Sequence, residues 1–277
     1  MQVTWSFLRN PEPTALAAAR ALAHRAAQWP ARAARANLAP APDDSHSSLT
    51  WDPDMAALLT QPLEGAVRVG LHLAVLELVF LKGARAETFA LAGKPEAEVA
   101  SWLDGKLVRE GLEPASGTKL PYELPPMLFA RPADEGPRLA SLGVWFAAAA
   151  EFLEELRHKY RRFQPGPTPV RCWPHHFDIA TVVELDNPKA KAARAIGIGV
   201  SPGDDYYAQP YLYLSPYPRP STDGLPELPP GGRWHTKDFF GAVATATDIL
   251  LLPEPRAGLN AIVDAAFAES LRRLKAG

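Results

Sequence analysis

The sequence predicts an α+β fold, an antiparallel sheet covered by helices, with an N-terminal helical arm. Three observations predict it. Val67, Val69, Leu71, Leu73 and Val75 alternate with Arg68, Gly70, His72 and Ala74, the period of two of a strand with one buried face. Leu142, Trp145, Phe146, Ala149, Phe152, Leu153 and Leu156 recur at helical spacing, as do Leu259, Ile262, Val263, Ala266, Phe267 and Leu271. The strand-like runs also cluster between the helices rather than alternating with them one for one, which argues against a parallel α/β sheet. The chain of 277 residues is read as a single domain, with residues 1–60 as arm and loop and 61–277 as the sheet-and-helix body.

Taken in order, residues 13–36 are Ala-rich with Leu16, Leu22 and Trp29, and predict a helix that Pro30 ends or kinks. Between Arg9 and Arg35 the only acid is Glu12, a faint likeness to a transit peptide, but the segment reads as a structural helix. Residues 39–48, "APAPDDSHSS", are turn-formers and predict a surface loop. After the alternating strand, residues 76–81 continue it or form its partner. "TFALAG" predicts a short strand, and Pro95 then opens a helix with Val99, Trp102, Leu103 and Leu107 on one face. Residues 112–137 are rich in Pro and Gly and predict irregular structure. A long helix follows over about 137–163, with its basic end "ELRHKYRR" suiting the negative helix terminus. Strands are expected near 177–185, 195–200 and 210–215. Residues 216–233 hold six prolines and predict a stiff loop. Thr236 is placed to cap a helix over 237–251, and the stripe from Leu259 predicts the last helix.

Composition narrows the function classes. A hydrophobic content of 47% with 22% charged residues is that of a packed domain. A formal net charge of −2 gives no basic surplus for a phosphate backbone, so no nucleic-acid partner is expected. One cysteine, Cys172, rules out an internal disulfide and cysteine-rich metal sites, and fits a soluble cytoplasmic protein. The longest apolar candidate, Val67 to Leu81, is interrupted by Arg68, His72 and Glu77, so no membrane span is expected.

Four segments occur in a characteristic order: "FALAGKPEAEVASWL", "VWFAAAAEFLEELRHKY", "HHFDIATVVEL" and "SPGDDYYAQPYLYLSPYP". Over roughly residues 86–220 the chain resembles the bacterial domain of unknown function 5996 family. The resemblance implies a strand like Phe177 to Ala180, a Gly-containing turn, and an aromatic strand like Pro210 to Tyr213. It implies no activity.

Gly199-Val200-Ser201-Pro202-Gly203 spells G-x-S-x-G. A nucleophile elbow needs strand, turn and helix, and a backbone N–H from the residue after the serine. Pro202 has none, and a strand follows instead. Pro202-Gly203 fits a type II turn with positive φ at Gly203, and Ser201 precedes that turn. Gly197 and Gly199 predict the close approach of a Trp or Tyr from a neighbouring strand.

"CWPHHFD" is the richer stretch. On a strand, His176 and Asp178 would share a face, and with His235 would give two histidines and a carboxylate, a set suited to a divalent metal. The alternative is that Asp178 caps a turn or bonds backbone, while His176 is a satisfied core or surface histidine. Asp204 and Asp205, with Tyr206, Tyr207, Tyr211 and Tyr213, suit a small-molecule pocket or, as readily, a turn followed by a strand. His72, His24, His46 and His158 read as solvated. The candidate ligand-binding set is Trp173, His175, His176, Asp178, Asp204, Asp205, Tyr206, Tyr211 and His235, with the proline loop as a lid. The function expected is a small-molecule-binding protein or enzyme with a polar cleft near 173–178 and 201–207. The alternative is a non-catalytic structural or interaction module.

Overall fold

A computed structural model describes residues 13–124 and 135–276. The fold is α+β, with antiparallel strand pairing throughout and helices including one at the N-terminal end. Residues 125–134 of the stretch expected to be irregular, and residues 1–12 of the expected arm, lie outside the described residues. Two compact units divide the described residues, one drawn from 15–124, 135–147 and 171–177, the other from 13–14, 148–170 and 178–276.

In the first unit, strands β1 (Leu49–Asp52), β2 (Ala57–Thr60), β3 (Val67–His72), β4 (Glu77–Lys82), β5 (Arg85–Ala90) and β7 (Arg171–Trp173) run in the order β7-β1-β2-β3-β4-β5. The alternation read from Val67 ends at His72, where residues 73–76 turn and Leu76 takes a φ of 52°. Residues 76–81 are therefore the partner, since His72 pairs with Glu77 and Val67 with Lys82. Helix α1 (Ala17–Asn37) lies against β2, β3 and β4. Pro30 lies inside the helix and does not end it, contrary to the first of the two outcomes the sequence reading allowed. A proline inside a helix removes one backbone bond and costs about 3 kcal/mol. Here Trp29, Ala31, Ala33 and Ala34 around it are all buried, and that packing outweighs the local cost. Helix α2 (Glu96–Arg109) follows Pro95, with Val99, Leu103 and Leu107 buried as its stripe requires.

Helix α3 (Gly136–Tyr160) contributes its first turns to this unit and its later ones to the other. All seven residues of its expected stripe are buried. In the second unit, β8 (Asp178–Glu184), β9 (Ala195–Ser201), β10 (Tyr211–Tyr217), β11 (Arg233–His235) and β12 (Gly241–Thr245) run β11-β12-β10-β9-β8, and β6 (Gly166–Pro167) pairs with β8. The helix expected over 237–251 is mostly strand. Ala242 to Thr245 pair with Tyr211 to Leu214, Gly241 pairs with His235, and a short helix α4 (Ala246–Leu250) starts only afterwards. Its cap is Thr245, which exchanges bonds with Asp248, rather than Thr236. Gly241 explains the outcome: a Cβ there would meet the Leu214 carbonyl oxygen at 2.6 Å. Helix α5 (Pro255–Ala276) buries Leu259, Ile262, Val263, Ala266 and Phe267 on the side facing β10 and β12.

The proline-rich loop is fastened to α5. Arg273 donates to the carbonyl oxygens of Ser221, Asp223 and Gly224, while Glu269 holds Arg273 from the previous turn. No helix among the described residues is long and apolar enough to cross a membrane.

Candidate functional site

In the first unit, helical spacing places Arg25, Gln28, Trp29 and Arg32 on one stripe of α1, at i, i+3, i+4 and i+7. They form one wall of a cavity of about 360 Å³. Glu96, in the first turn of α2, forms another and pairs with Arg25. Lys119, Leu120, Tyr122 and Leu124, from the segment after α2, close the third side. Arg32 lies over the Trp29 ring, 5.4 Å from its centroid. Among the described residues, neither Arg32 nor Lys119 has a carboxylate partner.

Gln28 joins this cavity to the histidine turn. Its side-chain nitrogen donates to the carbonyl oxygens of His24 and Pro174, both at 2.9 Å, and its oxygen accepts from the Tyr122 hydroxyl at 2.7 Å. Gln28 is only 2% exposed, so both ends of a buried amide are satisfied and Tyr122 is held in place. His24 Nε2 also meets Pro174 O at 2.8 Å. A carbonyl only accepts, so this nitrogen carries the hydrogen. The His24 ring stacks on Phe177 at 5.3 Å. His24 is therefore a clamp for the turn rather than a solvated histidine. His46, also expected in water, is 5% exposed and accepts from the Ala41 amide.

The histidines do not sit on a strand. Residues 174–177 form a turn in which the His176 and Phe177 amides both donate to Trp173 O, and Phe177 takes a φ of 58°. Strand alternation is broken there, so the argument that His176 and Asp178 share a face fails. His175 is half-buried beside Tyr122, at 5.9 Å between rings, with His176 at 4.3 Å and Trp173 at 6.0 Å. Burial first, and then the neighbouring His176, push the His175 imidazole down to about 4. It is neutral at pH 7. Burial pushes the Tyr122 hydroxyl up to about 12. His176 is exposed.

The remaining candidates lie in the second unit. Asp204 accepts from the amides of Tyr206 and Tyr207 with one oxygen, at 2.9 and 3.1 Å, and from the Tyr211 hydroxyl at 2.5 Å with the other. Ser201 Oγ accepts from the Gly203 amide at 3.1 Å and lies 3.5 Å from Asp204. Gly203 has a φ of 108°, the positive value the turn requires. Ser201 thus builds the turn it was expected only to precede. Tyr213 donates to Asp178, which is 7% exposed, and crosses Gly199, its partner in the β9–β10 register. The close aromatic approach read from that glycine is observed. Burial, reinforced by Asp178, raises the Tyr213 hydroxyl far above its usual range, and burial with Asp204 does the same for Tyr211. His235 meets the Tyr207 hydroxyl at 2.8 Å, stacks on Phe239 at 4.0 Å, and has Tyr206 edge-on at 5.8 Å. Asp205 is exposed.

Tyr206, Tyr211, Asp204 and His235 are thus brought into one aromatic network, while Asp205 is not. Among the described residues, no three His, Cys, Asp or Glu side chains form a group able to hold a metal ion. The set His176, Asp178 and His235 is accordingly not assembled: Asp178 serves Tyr213, and His235 serves Tyr207. Sequence reasoning missed Arg25, Gln28, Trp29, Arg32, Glu96, Lys119 and Tyr122. The helical spacing in "RAAQWPAR" was a usable signal for four of them, but the premature stop assigned to Pro30 obscured it. Comparison with protein-family models, with curated proteins and with solved structures finds no match for this chain.

Proposed function

We propose that this chain is a small-molecule-binding protein whose site is the cavity on α1. The observation that carries the reading is the lining itself. Three cations, one acid and two aromatic rings converge on about 360 Å³, within the size range of ligand pockets. Gln28 and Tyr122 lock one another, so this wall is preformed rather than assembled on binding. His175, neutral and next to Tyr122, supplies a proton acceptor close behind the wall. The test is tryptophan emission. Trp29 is 4% exposed and lines the cavity, so an occupant alters its signal. A metabolite panel is screened by emission and thermal shift in the wild type and in Trp29→Phe. Hits whose emission change is absent in Trp29→Phe support the site. A panel in which no compound changes either readout refutes it.

For the Asp204 and Tyr211 cluster we infer a structural role, because its carboxylate is consumed by two backbone amides and a tyrosine.

A further inference from the structure

We infer that the occupant of the α1 cavity is a small organic dianion, a compact phosphate-monoester or dicarboxylate head on an apolar body. This rests on the binding reading above. The argument starts from charge. Arg25, Arg32 and Lys119 bring three positive charges, and Glu96 removes one by pairing with Arg25. Two remain, on Arg32 and Lys119. Positive charges drawn together in a partly desolvated cavity repel one another and lose hydration, a cost that an anion of matching charge offsets. A phosphate monoester carries between one and a half and two negative charges near neutral pH, and a dicarboxylate carries two.

The shapes of the two donors suit such a head. Arg32 presents a planar fork that holds two oxygens at once, while Lys119 is a mobile point charge that settles on a third. Stacking on Trp29 fixes the Arg32 guanidinium, so little freedom is lost on binding. Trp29, Leu120 and Leu124 supply the apolar wall for the body. Glu96 sets selectivity: it repels a further acidic group at the Arg25 end, so polyanions are disfavoured. A second cavity, lined by Glu154, Arg157, His158, Arg161, Pro165 and Pro167, is also basic, but Arg157 is paired with Glu154 and no Trp, Tyr or Phe ring walls it.

The experiment is calorimetric titration of the whole chain with phenyl phosphate, phenylmalonate, benzoate and benzyl alcohol, at low and high salt. One or both of the two dianions should bind at least about tenfold more tightly than benzoate, benzyl alcohol most weakly, with affinity falling as salt rises. The tighter of the two dianions identifies the head group. Lys119→Ala and Arg32→Gln should each weaken that dianion about tenfold or more, the scale of one charge-assisted contact, and leave benzyl alcohol unchanged. Lys119 is exposed, so its variant folds even if Arg32→Gln does not. Equal affinity for all four probes, or an unchanged dianion affinity in Lys119→Ala, overturns the dianion inference while the cavity reading stands. If none of the four binds and the metabolite screen is silent, the cavity reading falls and this inference with it.

Discussion

Gly199→Ala is the sharpest test of how the second unit is built. A Cβ at position 199 would lie 2.4 Å from the Tyr213 hydroxyl oxygen, 2.5 Å from its Cζ and 2.8 Å from its Cε1. Those distances are far inside contact, so the tyrosine must move. Tyr213 faces Gly199 directly across the β9–β10 ladder, and its hydroxyl is bonded to buried Asp178, so it cannot swing aside without losing that bond. Overpacking of a tight site costs about 1–3 kcal/mol. A hydrogen bond to a charged group adds about 1.5–3 kcal/mol when broken. The combined loss is about 2.5–6 kcal/mol, and at roughly 2–4 °C per kcal/mol the midpoint falls by about 5–24 °C. Urea unfolding followed by circular dichroism measures the loss, with Tyr213→Ala and the double variant completing a cycle. Because the clash needs the ring, adding Gly199→Ala to Tyr213→Ala should cost less than about 1 kcal/mol. A cost of the same size in both backgrounds would refute the account.

Four further outcomes follow from the same geometry. Gly203→Val places a β-branched side chain at a φ of 108° and should cost about 1–3 kcal/mol in the same unfolding assay; an unchanged midpoint contradicts it. Ser201→Ala deprives the Gly203 amide of its acceptor and should cost about 1–2 kcal/mol, and a fluorophosphonate should leave Ser201 unlabelled. Because the folded His175 titrates near 4 rather than at its ordinary 6.5, the unfolded chain takes the proton first. Stability should therefore be level above pH 6.5 and fall as pH drops towards about 4. His24 and His46, also lowered by burial, add to the slope, whereas Asp186 and Glu269, held near 2 by their arginines, act at lower pH. His175→Asn should flatten part of that slope, and an identical pH profile would exclude its contribution. Arg273→Ala should release the loop at 218–232 from α5, read as faster amide exchange in that peptide with little change in β8 to β10.

Much of this molecule was legible from patterning. Residues 142–156 and 259–267 form the stripes their spacing demanded, because a helix buries what its 3.6-residue period brings to one side. The strand from Val67, the positive φ at Gly203 and the crowding at Gly199 were equally readable, each resting on a local constraint: alternation, a glycine's conformational freedom, a missing Cβ. The errors share one cause. Pro30 reads as a helix stop or kink and 237–251 as a helix by local preference, but buried neighbours carry α1 through the proline and pairing with β10 draws Ala242 to Thr245 into strand. His176 and Asp178 were put on one face by assuming an unbroken strand, and a turn at 174–177 removes that face.

The site divides along the same line. Arg25, Gln28, Trp29 and Arg32 are set on one helical stripe by spacing that the chain carries in itself. That Glu96, Lys119 and Tyr122 meet them, that Gln28 also grips Pro174, and that Asp204 is consumed by its own turn were decided by tertiary structure alone. Spacing specifies which residues of one element face the same way, whereas the meeting of separate elements depends on packing between residues far apart in the chain.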